Sequence, residues 1–287
     1  MTVDFNRLVR FKDDEGTIRY GEAPEDLDQL VGKPVSVYGG TVPWELERTG
    51  STATIAEVLC PLPLIPIYYG IGLNYKQHIA ESGFPTPQYP VVFTKPPGAL
   101  AGPYQDIAID AQCTNMDYEG ELCVIIGKEI RNFKKDSMDV NEYVLGYTVG
   151  NDVSSRFWQM APQSGNQHGY AKSFDCFGPI GPVVVSPKSP SLKERLDGNG
   201  TPDLELRTLV NGEKRQNTRT NDLLFGVSSI VEHLSRGTTL SQGTVIMTGT
   251  PSGVAAFLSP PNWLKSGDVV EVEIEQLGKI RNKMVIS

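Results

Sequence analysis

Short apolar runs separated by turns dominate the chain and predict a mostly β fold. The runs are rich in β-branched and aromatic residues, which favour strands, and 29 glycines and 21 prolines supply turns between them. Asn211-Gly212, between two of the runs, is typical of a two-residue hairpin turn. The predicted strands with clear ends are Val3–Val9, Thr17–Tyr20, Pro34–Tyr38, Asp106–Asp110, Tyr143–Asp152, Ile180–Val185, Leu204–Val210, Asp268–Ile274 and Ile280–Ile286.

Two segments have helical periodicity instead. From Asp222 to Ser235, apolar residues recur at helical spacing, which predicts an amphipathic helix. A shorter helix is predicted from about Tyr75 to Ser82, after a strand that ends in Gly70 and Gly72. This glycine pair does not indicate a dinucleotide loop, because the third glycine is missing and no long helix follows.

The pattern also predicts how the chain divides into domains. Residues 1–60 form a small β-rich N-terminal domain without a cluster of catalytic residue types, in which residues 51–58 fit either a strand or a short helix. Residues 61–66 contain three prolines and suit a stiff connector. Residues 67–287 form the large domain. The predicted fold class is α+β, mostly β with some α.

Composition narrows the class of protein. With 287 residues, 39% of them hydrophobic and 21% charged, the chain is typical of a soluble globular protein. The net charge of −8, without a cluster of basic residues, argues against nucleic acid as a partner. No apolar run is long enough to span a membrane, and the N-terminus lacks the pattern of a signal peptide. The four cysteines are scattered, so we expect a reduced, cytoplasmic protein; a mitochondrial location stays open.

An acidic segment that continues into an apolar run is the strongest chemical signal. Glu119 and Glu121 are two residues apart on a predicted strand and therefore share a face, which Asp117 could join. Carboxylates this close repel each other, and a hard divalent cation such as Mg²⁺ would offset the repulsion. The alternative is an edge strand whose polar face is solvated.

Asp152 is the third candidate ligand. It ends the apolar run that begins at Tyr143, and a charge at the end of a buried strand is costly unless it has a function. The alternative is an ordinary turn or N-cap residue before Val153-Ser154-Ser155.

His78 and Glu81 form the candidate general base. They are three residues apart on the short predicted helix and are therefore neighbours. A carboxylate beside an imidazole orients the ring and raises its basicity. The alternative is a histidine–glutamate pair on the surface.

Two further segments carry candidate binding groups. Lys172, between aromatic residues, is either a clamp for a carboxylate or enolate or a lysine that extends to solvent. The segment before it contains Gly165 and Gly169, as a closing loop requires. The glycine-containing turn Thr248–Val254 offers N–H groups and hydroxyls that could hold a carboxylate.

Six motifs follow one another in order from about Ile67 onward: Gly72–Glu81, Phe93–Pro96, Asp117–Leu122, Gly150–Arg156, Ala171–Asp175 and Thr248–Val254. In these motifs the chain resembles the fumarylacetoacetate hydrolase family, in particular its acylpyruvase and oxaloacetate decarboxylase members. Some of these members have arginine at the position of Leu73, and there this chain departs from them.

The resemblance implies a mixed β-sandwich roll, a homodimer and one Mg²⁺ or Mn²⁺ per subunit. It implies Glu119, Glu121 and Asp152 as metal ligands, with Asp117 just outside the coordination sphere. It also implies functions for six further residues: His78, Glu81 and Lys172 as catalytic, and Arg156, Gln159 and Thr250 as substrate-binding.

The implied activity is metal-dependent C–C bond cleavage in a small 2-oxo or 2,4-dioxo acid, by acylpyruvate-type hydrolysis or oxaloacetate-type decarboxylation through an enolate. One alternative is an isomerase or hydratase acting on a related dicarboxylic 2-oxo acid. Another is a binding protein that keeps the fold without catalysis, against which the complete set of candidate residues argues.

Overall fold

The computed structural model describes residues 4–286. Met1–Val3 and Ser287 lie outside this range. The first residue of the predicted strand Val3–Val9 and the outer ends of the two predicted domains therefore lie outside the described residues. Within the described part there are 20 strands, four α-helices and five short 3₁₀ helices. None of these helices is long and apolar enough to cross a membrane.

The elements follow one another along the chain with short connections. The first ten strands are β1 (Arg7–Asp13), β2 (Ile18–Glu22), β3 (Pro34–Gly39), β4 (Glu47–Val58), β5 (Tyr68–Gly72), β6 (Val91–Lys95), β7 (Leu100–Ala101), β8 (Ile107–Ile109), β9 (Met116–Asp117) and β10 (Gly120–Ile126). The others are β11 (Ile130–Arg131), β12 (Val144–Asn151), β13 (Ser154–Ser155), β14 (Gly178–Val185), β15 (Glu205–Val210), β16 (Glu213–Arg219), β17 (Thr239–Leu240), β18 (Val245–Met247), β19 (Val269–Ile274) and β20 (Gly278–Ile286). The α-helices are α1 (Lys76–Ser82), α2 (Arg156–Gln159), α3 (Pro190–Lys193) and α4 (Val227–Ser235), and the 3₁₀ helices are Pro97–Ala99, Val140–Glu142, Tyr170–Lys172, Thr220–Asp222 and Ala255–Phe257.

Two sheets packed against each other form the main body, as expected of a mostly β fold with a sandwich core. The larger sheet has the order β2-β3-β4-β1-β14-β12-β10-β18-β5-β6, with β7 paired to β14, and the smaller has the order β16-β15-β19-β20-β8. Strands β10, β12 and β14 of the larger sheet contact β15, β19 and β20 of the smaller. Every residue of β10 and of β14 is buried. Alternate residues of these strands belong to a second apolar cluster, so both faces of the larger sheet are covered there. This double burial explains their continuous apolar sequences.

The N-terminal strands belong to the larger sheet. β1 pairs with β14 on one side and with β4 on the other, so the strands of residues 7–58 extend the sheet that contains β10 and β12. β4 also decides between the two interpretations of residues 51–58, which are strand. Residues 61–66 contain no strand or helix, as expected of a connector. The division of the chain into two domains stays a prediction.

The hairpins agree with the sequence analysis. Asn211 (φ 52°) and Gly212 (φ 79°) form the turn between β15 and β16, and both have the positive φ that a type I′ turn requires. β19 and β20, which correspond to the predicted strands Asp268–Ile274 and Ile280–Ile286, pair antiparallel as the last hairpin of the described chain.

The amphipathic helix is shorter than predicted. It begins at Val227 rather than near Asp222, because the preceding residues bind the turn before α1. The N–H groups of Leu224 and Phe225 donate to the backbone and side-chain oxygens of Asn74, at 2.7 and 2.8 Å. A helix through these residues would break both bonds, so the predicted start was wrong by about one turn.

Candidate active site

The pairing of β10 with β12 brings the three candidate ligands together. Gly120 lies opposite Asn151 in this antiparallel ladder. Asp152, which directly follows β12, donates its backbone N–H to the carbonyl of Glu119 at 2.9 Å. The side-chain oxygen of Asn151 accepts the N–H of Glu119, also at 2.9 Å. Backbone geometry therefore fixes the aspartate beside the two glutamates.

The three carboxylates form a buried cluster. Glu119, Glu121 and Asp152 each offer an oxygen, and these oxygens lie within 4.8 Å of one another. All three side chains are buried, so water can screen their repulsion only weakly. Protein cations offset part of it: Lys172 Nζ donates to Glu119 at 2.9 Å and to Asp152 at 2.6 Å, and Lys95 Nζ donates to Asp152 at 2.5 Å.

The compensation is unequal. Burial alone would raise the pKa of Glu119, but the charges of Lys172 and Arg156 outweigh it and hold this pKa well below its usual range. Glu121 has no ion pair among the described residues and accepts a hydrogen bond from Gly249 N–H at 2.7 Å. Burial and the charges of Asp152 and Glu119 raise the pKa of Glu121 well above its usual value.

Asp117 lies outside the cluster and forms hydrogen bonds with other parts of the protein. Its carboxylate accepts hydrogen bonds from Arg156 Nε at 2.8 Å and from the N–H groups of Ala255 and Ala256 at 2.7 and 3.1 Å. Arg156 also contacts Glu119, at 2.6 Å. Asp117 therefore orients the arginine that lies against the cluster, rather than joining the carboxylates on their shared face.

His78 and Glu81 form the predicted pair on α1. His78 Nδ1 lies 3.0 Å from Glu81 Oε2, and His78 is 7% exposed. Glu81 Oε1 accepts the N–H of Gly253 at 3.3 Å. Because the carboxylate pairs with Nδ1, the ring holds its proton there, which leaves Nε2 as the basic nitrogen.

The turn Thr248–Val254, which follows β18, was expected to hold a carboxylate. It binds the carboxylates of two side chains of this protein. Gly249 binds Glu121, and Gly253 binds Glu81. The same turn is joined to the start of α1, since Asn74 Nδ2 donates to the carbonyl of Thr248 at 2.7 Å. One turn thus sets the relative positions of the acidic cluster and the histidine.

A single cavity of about 680 Å³ brings most of the candidate residues together. The predicted residues among those that line it are His78, Glu119, Glu121, Arg156, Gln159, Lys172 and Thr250. Asp152 lies behind Lys172 and Glu81 behind His78, each within hydrogen-bonding distance of that neighbour. A larger polar groove of about 990 Å³ lies elsewhere and shares none of these residues.

Two predicted substrate-binding groups already have protein partners. Gln159 Oε1 accepts from Arg156 Nη1 at 2.6 Å. The Thr250 hydroxyl donates to the carbonyl of Gly120 at 3.1 Å and accepts from Gln216 at 2.9 Å. These contacts fix both side chains at the cavity wall.

Comparison with known proteins identifies the family. The family model "Fumarylacetoacetate (FAA) hydrolase C-terminal" matches residues 68–285, which is most of the chain. The chain belongs to the fumarylacetoacetate hydrolase family. Its resemblance to this family, noted on six motifs, is thereby confirmed.

Curated members of the fumarylacetoacetate hydrolase family are similar over three quarters of this chain. A Dictyostelium discoideum protein named "Fumarylacetoacetate hydrolase domain-containing protein 2 homolog" is 42% identical over 218 residues, which is 75% of this chain and 70% of that protein. The human protein "Oxaloacetate tautomerase FAHD2A, mitochondrial" is 39% identical over 215 residues, 75% of this chain and 65% of its own length. The chain thus spans about two thirds of the length of these relatives.

Solved structures of family members have the same fold over nearly the whole chain. A 2-hydroxyhepta-2,4-diene-1,7-dioate isomerase from Mycobacterium marinum superposes with a TM-score of 0.80 at 31% identity, covering 98% of this chain and 99% of that one. A fumarylacetoacetate hydrolase from Exiguobacterium antarcticum gives 0.75 at 32% identity, covering 98% and 100%. These likenesses confirm the predicted fold class.

The donor set of this family member fits a hard divalent cation. Three carboxylate oxygens converge, as Mg²⁺ and Mn²⁺ prefer, and within residues 4–286 no lysine, arginine or histidine forms an ion pair with Glu121. Four carboxylates face three cations in and around the cluster, which leaves one net negative charge for a cation to neutralise. The carboxylates are Asp117, Glu119, Glu121 and Asp152, and the cations are Lys95, Arg156 and Lys172.

Lys95 is the main site residue that the sequence analysis did not single out. It is fully buried at the end of β6, where its ammonium binds Asp152 and the carbonyl of Phe177. The argument that selected Asp152, a charge at the end of an apolar strand, applies equally to Lys95 and could have found it.

Replacing Lys95 with methionine should strongly destabilise the protein. Lys95→Met keeps the length of the side chain but leaves Asp152 with one cation instead of two in a buried site. Breaking a buried pair in this way typically costs about 3–5 kcal/mol. Urea unfolding in EDTA measures the loss. Lys12→Met is the matched control, because Lys12 pairs with Glu57 at an exposed position and its loss should change the free energy of unfolding little.

Gly253 should be irreplaceable in the turn that holds Glu81. Its φ is +96°, and an added Cβ would overlap the carbonyl oxygen of Arg215. We expect Gly253→Ala to destabilise the protein by more than about 1 kcal/mol and to lower kcat, because the turn must move away from Arg215, which disturbs the hydrogen bond from Gly253 to Glu81. Gly267→Ala is the control: its φ is +94°, but the space around it is open. Equal losses of stability in thermal unfolding of the two variants would contradict the overlap argument.

Proposed function

We propose that this chain is an enzyme that cleaves a C–C bond in a small 2-oxo or 2,4-dioxo acid with the help of Mg²⁺ or Mn²⁺. The observation that carries the proposal is that His78, paired with Glu81, lines the same cavity as Glu119 and Glu121. A base and a divalent-cation site in one cavity meet the two requirements of this reaction.

Glu119, Glu121 and Asp152 would hold the cation. When bound, it supplies a Lewis acid that polarises the 2-keto oxygen and favours formation of the enolate as the C–C bond breaks. Lys172 would hold two of these carboxylates, Glu119 and Asp152, in place through hydrogen bonds. Burial alone would lower the pKa of its ammonium, but Asp152 and Glu119 raise it, so Lys172 stays positively charged. It also offers positive charge at the wall of the cavity.

His78 would activate water. Its Nε2 takes a proton from a water molecule, which attacks the C4 carbonyl of a 2,4-dioxo acid, while Glu81 stabilises the imidazolium through Nδ1. The C3–C4 bond then breaks, C4 leaves as a carboxylic acid, and C3 takes a proton to give pyruvate. In decarboxylation the same enolate forms by loss of CO₂ without attack by water.

Arg156, Gln159 and Thr250 would orient the substrate from the cavity wall. Because each already has a protein partner, they present fixed polar groups, which is what positioning requires. The metal ligands, the catalytic residues, the homodimer and the cytoplasmic location all stay predictions.

A second function, keto–enol or double-bond isomerisation of a dicarboxylic 2-oxo acid, is favoured by the names of related proteins. Relatives at about 39% identity are named oxaloacetate tautomerase, and structures with the same fold are named dioate isomerases. Isomerisation needs the same enolate and a base, but it needs no attack by water.

Product analysis separates these functions. Purified protein with Mg²⁺ is given a 2,4-dioxo acid or oxaloacetate, and pyruvate is measured beside the enol absorbance. Cleavage predicts one pyruvate per substrate consumed, and none when EDTA is present. A change in enol absorbance without pyruvate would favour the isomerase, and no change with any of these acids would favour a binding protein.

A further inference from the structure

The cavity is larger than a four-carbon acid needs, and much of its wall is apolar. Its volume of about 680 Å³ falls within the range of cavities that enclose drug-sized ligands. Three of its lining side chains, Phe84, Met160 and Phe257, are 56%, 52% and 39% exposed. Large exposed apolar side chains around one cavity are typical of a binding site. The apolar wall, as we call it, consists of Leu73, Phe84, Val91, Phe93, Met160 and Phe257.

The apolar wall adjoins the groups that would perform the reaction. Lys172 Nζ lies 4.9 Å from the centre of the Phe93 ring, and the Phe257 and His78 rings pack in a T-shaped pair with centroids 5.4 Å apart. Phe93 is held in place because it packs on Gly70, where any Cβ would overlap its ring. The group that a substrate carries beyond its reacting carbonyl would therefore meet aromatic and aliphatic carbon.

Leu73 is held at this wall in a strained conformation. Its φ of +52° lies in the left-handed region, which glycine adopts easily and a leucine rarely does. Outliers of this kind persist where the surrounding structure and function require them. At this position the chain has a large apolar side chain at the cavity, where a glycine would adopt the same backbone conformation without strain but would add no side chain.

The cations of the cavity are already paired. Among the described residues that line it, Arg156 binds Asp117 and Glu119, and Lys172 binds Glu119 and Asp152. His78 is paired with Glu81, so the remaining basic side chain is that of His168. Burial and the charge of Lys172 lower the pKa of His168, which keeps its ring neutral at pH 7. A second carboxylate in the substrate would find no free cation among the described residues that line the cavity.

We infer that the apolar wall binds an apolar group carried on C4 of the substrate, so that the enzyme prefers monocarboxylic 2,4-dioxo acids with a hydrocarbon tail to dicarboxylic ones. This inference rests on the proposed function and specifies its substrate class. An unpaired carboxylate against the wall would lose its hydration without gaining a partner. A hydrocarbon tail gains binding energy with each methylene that it buries.

A matched pair of acids tests the inference in the wild-type protein with Mg²⁺. The probes are 2,4-dioxooctanoate and 2,4-dioxooctanedioate, which differ only in the terminal group, and the readout is kcat/KM from pyruvate release. We expect the monocarboxylic acid to be favoured at least about tenfold, and kcat/KM to rise about fourfold per added methylene. Turnover of both acids without a preference, or with the opposite one, would overturn the inference alone. Turnover of neither acid, with pyruvate still released from oxaloacetate, would also overturn the inference alone. No pyruvate from any of the three acids would overturn the proposed function and this inference with it.

Neighbouring residues on β6 provide a matched pair of variants. Val91 lines the cavity, whereas Val92 points to the other side of the strand and is 38% exposed. We expect Val91→Lys to reduce the preference for the monocarboxylic acid at least about tenfold, because it supplies the missing cation. Val92→Lys should leave the preference unchanged. The same response in both variants would show that the wall does not select the tail.

Discussion

Glu121→Gln is expected to remove divalent-metal binding and nearly all turnover, while making the metal-free protein more stable. The amide keeps an oxygen for the N–H of Gly249 but removes the carboxylate that has no ion pair among the described residues. Loss of Lewis-acid catalysis worth about 4 kcal/mol corresponds to a fall in kcat of about a thousandfold. In EDTA, at a pH above the raised pKa of Glu121, removal of its uncompensated buried charge should raise the free energy of unfolding by about 1–3 kcal/mol.

The readouts are Mn²⁺ affinity by calorimetry, pyruvate release, and thermal unfolding with and without metal. Added Mn²⁺ should raise the Tm of the wild-type protein but not that of Glu121→Gln, because a ligand stabilises only the state that binds it. Glu57→Gln, on an exposed part of β4, is the matched control and should resemble wild type in all three measurements. A Glu121→Gln variant that binds Mn²⁺ with wild-type affinity would contradict the assignment of this residue.

His78→Ala is expected to lower kcat by about 10²–10⁴-fold while metal affinity and stability stay near those of the wild type. General-base catalysis typically contributes this much. The histidine has a direct hydrogen bond to Glu81 but none to the acidic cluster, so its removal should leave the cation site intact. Steady-state kinetics and Mn²⁺ calorimetry measure the two effects separately.

A double variant shows whether Glu81 acts through His78. Glu81→Gln alone should reduce kcat, but His78→Ala combined with Glu81→Gln should be little worse than His78→Ala, because the carboxylate then has no imidazole to orient. His233→Ala is the control, since His233 stacks on Tyr89 and does not line the cavity. Wild-type kcat in His78→Ala would rule out the general-base role.

The sequence predicted most of the local elements of the site. Alternation along a predicted strand placed Glu119 and Glu121 together, and both line the cavity, although Glu119 lies just before β10 rather than in it. Helical spacing placed His78 beside Glu81, and the structure has them 3.0 Å apart. These predictions succeeded because strand and helix periodicity depend on the backbone alone.

Long-range partners could not be predicted in the same way. The register of β10 against β12 decides that Asp152 meets Glu119, and nothing in either strand specifies this pairing locally. Lys95 binds Asp152 although 57 positions separate them in the chain. Asp117 shares the sequence motif of the glutamates but turns to Arg156 and the N–H groups of a later turn. The predicted start of α4 was wrong for a similar reason, because Asn74, which is distant in sequence, accepts a backbone N–H that a longer helix would need.

The central claim is that Glu119, Glu121 and Asp152 bind one divalent cation in the cavity that His78 lines. Anomalous diffraction at the manganese edge, from crystals grown with Mn²⁺, tests it most directly. The account predicts one strong anomalous peak about 2.1 Å from an oxygen of each of the three carboxylates. A peak at another place, or none at a saturating concentration of Mn²⁺, would contradict it.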